Sequence, residues 1–271
     1  MTLADYLSRA WARYVRLCPD ASRIHELLEA RGERILNDHL ALRTFDIPGI
    51  TRLEIGRIFE AWGYRKADEE LDFPEKKLKA SYWLPSDPSQ PRVFVSELEL
   101  GRVSPELATW IRALAGPTAK RGPIRAEQLL EPNWQPVRLE DYRRFYPESE
   151  YAAWTAAYGI QLNHFTVSIN ALKTFPGGIA ELNDFLRASG LQLNESGGAI
   201  KGRPEECLEQ SSTQAREVPC QFAGGVTEAV PGCYYEFARR YPLKDGSGLF
   251  EGFIPKSADK IFESTSVRTR L

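Results

Sequence analysis

The sequence predicts an α+β fold of two strand-helix-strand-strand-strand (βαβββ) modules, which form one curved mixed sheet around a metal site, with additional helices outside. Residues 38–65 and 163–193 look like copies of one another, and their histidines, His39 and His164, lie 125 residues apart. In each copy an Asp or Asn precedes the histidine and a β-prone run follows it. A Pro-Gly turn, an amphipathic helix and a glycine then come in the same order.

Length and composition bound the class of protein. A chain of 271 residues with 42% hydrophobic and 27% charged residues can bury a large core, and we treat it as a single domain. The formal net charge of −2 gives no indication of a nucleic-acid or anionic-membrane partner. No run of residues is apolar enough to predict a membrane span, and no secretory signal is evident. The four cysteines match no zinc-ribbon spacing, so a cytoplasmic protein with reduced thiols is expected, its oligomeric state left open.

The first half of the chain divides into an N-terminal helical segment and the first module. Apolar residues recur at helical spacing through residues 1–37, which predicts two helices. The first module, residues 38–100, begins with a strand and a helix. It continues with β-prone runs at 79–84 and 92–100, joined by the turn-rich sequence SDPSQP.

The second half contains a helical insertion and the second module. Residues 101–160 form the insertion, with predicted helices at 104–115 and 138–158. The second module and a closing C-terminal segment occupy residues 161–271, with strands expected near 212–222 and 232–240.

Two histidines at equivalent positions of two modules predict a shared metal. Side chains alternate along a strand, so His39 and His164 each point to one face, and the two faces converge if they line one curved sheet. Glu236 is the candidate third ligand, because it is a lone carboxylate in a β-prone aromatic run. Two histidines and one carboxylate form the facial triad of non-haem Fe(II) enzymes, although Zn, Mn or Mg remain possible from the ligand types. The alternative for Glu236 is a salt bridge to Arg239 or Arg240.

Arg43 shares the predicted inner face with His39, four residues further along the strand. A planar guanidinium on a metal-lined face suits a carboxylate held by two hydrogen bonds. The arrangement therefore predicts a dicarboxylate that chelates the metal at one end and binds Arg43 at the other. The alternative is an internal ion pair of Arg43 with Glu97 or Glu99.

Six stretches of the chain resemble a known family. They are NDHLALRTF, PRVFVSELEL, LNHFTVSIN, EQSST, PGCYYEFARRYP and GFIPKSADKIFEST. Together they are similar to the 2-oxoadipate dioxygenase/decarboxylases, also called D-2-hydroxyglutarate synthases, of the vicinal oxygen chelate superfamily. The resemblance covers most of the chain, and its specific parts are the histidine followed four residues later by arginine and the YEF strand.

The resemblance implies a ligand set and a reaction. It implies that His39, His164 and Glu236 hold Fe(II), and that Arg43 acts as a catalytic, substrate-binding residue. It implies conversion of 2-oxoadipate and O2 to 2-hydroxyglutarate and CO2, in lysine catabolism. A 2-oxo dicarboxylic acid and O2 are then the expected partners. The candidate substrate-binding residues are His39, Arg43, Gln210, Ser211, Lys256 and Ser257.

Two other functions remain open on the same fold. A metal-dependent isomerase or lyase of the glyoxalase type would use a fourth protein ligand, for which Glu97 or Glu99 are the candidates. A non-catalytic ligand-binding protein would need no metal chemistry. Metal content and O2 uptake distinguish these possibilities.

Overall fold

A computed structural model describes residues 1–265, so the last six residues of the predicted second module lie outside the described part. The chain opens with two helices, α1 (Leu3–Leu17) and α2 (Pro19–Ala30). Thr2 and Asp5 form a capping box at the start of α1, and Pro19 is the first residue of α2, where its missing N–H costs nothing. The two predicted N-terminal helices are therefore present.

The first module follows. It contains β1 (Asn37–Phe45), α3 (Arg52–Glu60), β2 (Tyr64–Lys66), β3 (Leu71–Phe73), β4 (Leu78–Pro85) and β5 (Arg92–Leu98). Thr51 and Glu54 form a capping box that starts α3, and Gly63 ends the turn after it with a φ of 89°. The predicted order of strand, helix and strands is correct, and β3 is an additional short strand beside β4.

The segment between the modules is helical. It contains α4 (Pro105–Ala119), α5 (Leu139–Phe145) and α6 (Glu150–Tyr158). The predicted helix over 138–158 is in fact two helices. Pro147 follows α5, and the side chain of Ser149 accepts a hydrogen bond from the backbone of Ala152 to begin α6.

The second module repeats the first with one insertion. It contains β6 (Gln161–Ser168), α7 (Ile179–Ala188), β7 (Lys201–Arg203), β8 (Leu208–Ser212), β9 (Glu217–Phe222), β10 (Val226–Pro231), β11 (Glu236–Arg240) and the closing helix α8 (Pro255–Phe262). The prediction of a strand near 212–222 is correct in part. Residues 217–222 form β9, but β9 pairs with β10 in a separate two-stranded hairpin, and residue 212 ends β8.

In the described part of the chain the main sheet has nine strands, and its order shows the duplication directly. Eight strands run β2-β4-β5-β1-β6-β11-β8-β7, and β3 pairs with β4 at the side. Strands β1 and β6 are antiparallel neighbours at the centre. Reading outward, the halves are β1-β5-β4-β2 and β6-β11-β8-β7, and in each the first pair is parallel and the next two pairs are antiparallel. This pseudo-twofold arrangement confirms the predicted pair of modules.

The two faces of the sheet have different partners. Helix α3 packs on β4 and β5, and α7 packs on β8 and β11, which makes this the outer, helix-covered face. The opposite, inner face carries His39, His164 and Glu236, and α8 lies across it against β3, β7 and β8. Within residues 1–265, no helix has the length and apolar character needed to cross a bilayer.

Candidate metal centre and substrate pocket

Three adjacent central strands bring the predicted ligands together. His39 lies on β1, His164 on β6 and Glu236 on β11. The Nε2 atom of His39 is 3.4 Å from Oε1 of Glu236, and Nε2 of His164 is 3.1 Å from Oε2. One ligand atom from each residue can be chosen so that all lie within 4.8 Å of one another, and all three side chains are buried. The register explains this convergence, because Thr166 pairs with both His39 and Glu236 while His164 pairs with Ala41.

The donor atoms fit a divalent cation. Oε2 of Glu236 is buried and has no hydrogen-bond partner among residues 1–265, although it lies beside Nε2 of His164. A buried carboxylate oxygen without a hydrogen-bond donor is costly, and a cation shared with the two imidazoles would offset that cost. Two nitrogen donors and one carboxylate suit Fe(II), and also Zn or Mn.

A second layer of polar groups orients the ligands. Oδ1 of Asp38 lies 2.8 Å from Nδ1 of His39, which directs the other ring nitrogen toward the centre. Arg240 donates two hydrogen bonds to Asp38, at 2.7 and 2.9 Å. In the second copy, Asn163 lies 3.2 Å from Nδ1 of His164. The sequence carried a signal for this layer, namely the Asp or Asn before each histidine.

The charges of the centre are strongly coupled when no cation is bound. Burial opposes ionisation of Glu236, but the two histidines outweigh it and lower the pKa of Glu236 to about 2. Burial also opposes the charging of His39, yet Glu236 and Asp38 together raise the pKa of His39. For His164 burial wins, and its pKa is lowered. A competing proton is therefore held mainly by His39, on the atom that faces the centre.

Arg43 lies on the inner face, as predicted, and is 1% exposed. Nη2 donates to Oγ1 of Thr265 at 3.1 Å, and Nη1 lies 3.5 Å from Oε1 of Glu150. The guanidinium also sits over the rings of Tyr151 and Trp154, at 4.9 and 5.0 Å. Nε has no partner among the described residues. Arg43 thus keeps an unused donor within the sheet interior.

The carboxylates named as alternative partners of Arg43 lie elsewhere. Glu97 accepts hydrogen bonds from the backbone and side chain of Arg52, at the start of α3 on the outer face. Glu99 pairs with Lys79 at 2.9 Å and with Arg102 at 2.6 Å. The proposed pairing of Arg43 with Glu97 or Glu99 is wrong, because strand alternation turns Glu97 toward the helices and Glu99 follows the end of β5. The alternative salt bridge of Glu236 is also absent, since Arg240 binds Asp38.

The other predicted substrate contacts divide into those near the centre and those away from it. Gln210 lines the cavity and donates to Oε1 of Glu236 at 2.6 Å. Ser211 points to the outer face, where its hydroxyl donates to Asn183 of α7 at 2.8 Å. Lys256 is exposed, and Ser257 is buried beside Gly202 of β7. The structure therefore does not bring Ser211, Lys256 or Ser257 to the cavity.

Aromatic and aliphatic side chains form the walls. A cavity of about 20 Å³ remains beside the metal ligands, which is about the space that one water molecule needs. The wall residues that sequence reasoning missed are Phe94, Tyr234, Phe253, Ala258, Ile261 and Phe262. The last three belong to α8 at helical spacing, which is the pattern that could have identified them. A substrate enters only if α8 or a neighbouring wall moves.

Comparisons with known proteins identify similar sequences. A family model described as 2-oxoadipate dioxygenase/decarboxylase matches residues 118–250. A 2-oxoadipate dioxygenase/decarboxylase from Arabidopsis thaliana is 36% identical, over 93% of this chain and 74% of that protein.

Two solved structures are also similar. The crystal structure of hydroxyglutarate synthase from Oryza sativa, in complex with 2-oxoadipate, superposes with a TM-score of 0.89 at 33% identity and covers 98% of this chain and 92% of that one. A glyoxalase superfamily protein from Ralstonia eutropha has a TM-score of 0.69 at 22% identity, covering 90% of this chain and 83% of that chain. The latter likeness shows the fold alone, and it fits the predicted vicinal oxygen chelate arrangement.

Proposed function

Because this chain belongs to the 2-oxoadipate dioxygenase/decarboxylase family, we propose that it converts 2-oxoadipate and O2 to 2-hydroxyglutarate and CO2 at the centre formed by His39, His164 and Glu236. The observation that carries the proposal is the convergence of these three side chains on the same sheet face as Arg43. The reaction balances: one carbon leaves as CO2, one oxygen atom of O2 enters the new carboxylate, and the other becomes the hydroxyl group.

Fe(II) is the proposed metal, held by the two imidazoles and the carboxylate. When bound, Fe(II) would be chelated by the 2-oxo acid and would activate O2, which is the known use of a facial triad with open positions. Asp38 fixes the tautomer of His39 so that Nε2 faces the metal, and Gln210 holds the Glu236 carboxylate.

The remaining side chains position the substrate and exclude water. Arg43 is proposed to bind the far carboxylate, using the unpaired Nε and the nitrogens that now contact Thr265 and Glu150. The aromatic rings of Phe94, Phe253 and Phe262 keep the reacting end dry.

The module symmetry argues against the glyoxalase-type alternative. Glu236 pairs in parallel with Thr166, two residues after His164. The equivalent residue of the first module pairs with Ala41, two residues after His39, and it is Phe94. A fourth ligand is expected at this position, and a phenyl ring cannot bind a metal. Neither Glu97 nor Glu99 replaces it, because both are engaged in ion pairs elsewhere.

Two further proposals concern the setting of the reaction. We place the conversion in lysine catabolism, following the family resemblance. We also propose a reducing compartment, with the cytoplasm as the expected one, because all four cysteines are free thiols. The names of the plant relatives assign those proteins to the chloroplast.

One experiment tests metal, reaction and substrate together. The purified protein is loaded with Fe(II) without O2, and O2 uptake, CO2 release and 2-hydroxyglutarate are measured with 2-oxoadipate, 2-oxoglutarate and 2-oxohexanoate. We expect equimolar O2 consumption and product formation, fastest with 2-oxoadipate. His164→Ala should abolish turnover. His25→Ala is the matched control, because that histidine binds Tyr235 outside the centre. Product formation without O2 uptake would indicate an isomerase or lyase, and binding without turnover a non-catalytic protein.

A further inference from the structure

Tyr234 has a hydroxyl group that the fold leaves without a partner. The side chain is 0% exposed, and its OH makes no hydrogen bond within residues 1–265. Buried tyrosine hydroxyls normally find a partner, because an unpaired one loses its hydrogen bonds to water without compensation. A phenylalanine would fill the same space without this cost, so the hydroxyl requires an explanation.

The position of Tyr234 connects it to the metal centre. Its ring stacks on the imidazole of His164, with centroids 4.6 Å apart and planes 30° apart. It lines the same cavity as the three metal ligands, and Ile261 of α8 packs against it from above. The tyrosine is thus held rigidly, with its backbone carbonyl accepting a hydrogen bond from Tyr14.

The register places Tyr234 beside one metal ligand, His164, and nearer than Glu236 to the level of Arg43. Tyr234 precedes Glu236 by two residues, so the parallel pairing of Glu236 with Thr166 sets it level with His164. His164 pairs with Ala41, and Arg43 is the next residue on the same face of that strand. A molecule that spans from the metal to Arg43 therefore passes Tyr234.

The inner face of the sheet holds another buried polar group without a hydrogen-bond partner among residues 1–265. Nearby Nε of Arg43 is a second buried donor without a partner. Two unused donors on the inner face of the sheet suit an acceptor with several lone pairs, which a carboxylate provides.

We propose that Tyr234 donates a hydrogen bond to the distal carboxylate of the bound 2-oxo dicarboxylic acid, beside Arg43, and so helps to select a diacid over a 2-oxo acid with an apolar tail. The inference rests on the proposed function, because it takes the opposite end of the substrate to be committed to the metal. The partner group is taken to be the far carboxylate because Nε of Arg43 is the other unpaired donor on the inner face. The comparison of two ligands below separates this contact from one with the metal-bound end of the substrate.

The test compares two adjacent tyrosines. Tyr234→Phe removes only the unpaired hydroxyl. Tyr235→Phe is the matched control: Tyr235 is equally buried, but its hydroxyl lies 2.8 Å from Nε2 of His25, outside the cavity. Each protein is loaded with Zn(II) so that no turnover occurs, and the Kd values of 2-oxoadipate and 2-oxohexanoate are measured by calorimetry. Urea unfolding of the metal-free proteins reports their stability.

We expect Tyr234→Phe to weaken 2-oxoadipate binding by roughly tenfold to a hundredfold, as for the loss of a hydrogen bond to a charged group, and to change 2-oxohexanoate binding by less than about twofold. Its metal-free stability should equal or exceed that of the wild type, because an unsatisfied group is removed. Tyr235→Phe should lower stability and leave both Kd values unchanged.

Three results would overturn the inference. Equal losses on both ligands would place the hydroxyl at the metal end of the substrate. Unchanged binding of 2-oxoadipate by Tyr234→Phe would make the hydroxyl a bystander, while the proposed function stands because the wild type binds the diacid. Failure of the wild type itself to bind 2-oxoadipate would refute the proposed function, and this inference with it.

Discussion

Replacement of Arg43 tests how the far end of the substrate is recognised. Arg43→Ala removes a guanidinium that is 1% exposed and, under the proposed function, would leave the distal carboxylate of 2-oxoadipate without its cation. Loss of one partner of a buried charge pair costs about 2 to 5 kcal/mol. In the free protein Arg43 is only partly compensated, since Glu150 lies 3.5 Å away and Nε has no described partner. We therefore expect a loss near the middle of the range, about 3 kcal/mol or roughly a hundredfold in kcat/KM.

The assay compares two substrates and two substitutions. With 2-oxohexanoate, which has no far carboxylate, Arg43→Ala should lose less than about threefold. Arg43→Lys should recover part of the activity on 2-oxoadipate, because an ammonium supplies charge but no bidentate contact. Arg52→Ala is the control for removal of a buried arginine, since Arg52 binds Glu97 on the outer face. Equal losses of Arg43→Ala on both substrates would refute the reasoning and assign Arg43 to the packing of Tyr151 and Trp154.

Four further outcomes follow from the same contacts. Asp38→Asn should weaken metal binding by about 10- to 100-fold in a chelator competition, and unchanged affinity would show that the negative charge beside His39 is dispensable. The pKa of His39 is raised, and a metal binds only the neutral ring. Apparent metal affinity should therefore fall as the pH drops below that raised pKa, by about tenfold per pH unit for one displaced proton. An affinity that does not change with pH would contradict this. Phe94→Glu should supply a fourth ligand, tighten metal binding and suppress O2 uptake, whereas unimpaired O2 uptake would argue against the module symmetry. Ser264→Ala should lower the free energy of unfolding by about 1 to 3 kcal/mol, because the Ser264 hydroxyl forms hydrogen bonds with Asn194 and Ser212 that anchor the C-terminal segment. Ser247 is exposed, so Ser247→Ala should have little effect.

The duplicated core could be predicted because its signals are local. Each of these signals depends on only a few neighbouring residues. They are the capping box at Thr51, the alternating run after each histidine and the glycine beyond each helix. The feature that these local signals leave undecided is how the two modules pair in the sheet, and a repeated module allows only a few such pairings. The alternation that set His39 and Arg43 on one face held in the folded chain.

What could not be predicted depends on contacts between distant residues. Glu150 and Thr265 approach Arg43 from 107 and 222 positions away, and nothing in the neighbourhood of Arg43 indicates either. A strand near residues 217–222 could be predicted, but its pairing with β10 in a separate hairpin could not, because a β-prone run does not say which strand it pairs with. In the closing segment, the polar residues Lys256 and Ser257 were predicted to bind the substrate, but the apolar side of α8 covers the centre.

The two modules of the sheet differ at one pair of equivalent positions, and this difference leaves one side of the metal centre without a protein ligand. Duplication supplies two equivalent histidines, but the equivalent positions on the neighbouring strands have diverged to Glu236 and Phe94. A symmetric pair of carboxylates would surround the cation with four protein ligands and leave little space for a chelating substrate and O2. With a phenyl ring in one position, protein ligands come from three strands, and the wall opposite Glu236 becomes apolar. A phenylalanine at position 94 therefore has two effects: it provides no fourth ligand, and it keeps water away from the reacting end of the substrate. A reaction between O2 and a 2-oxo acid requires both.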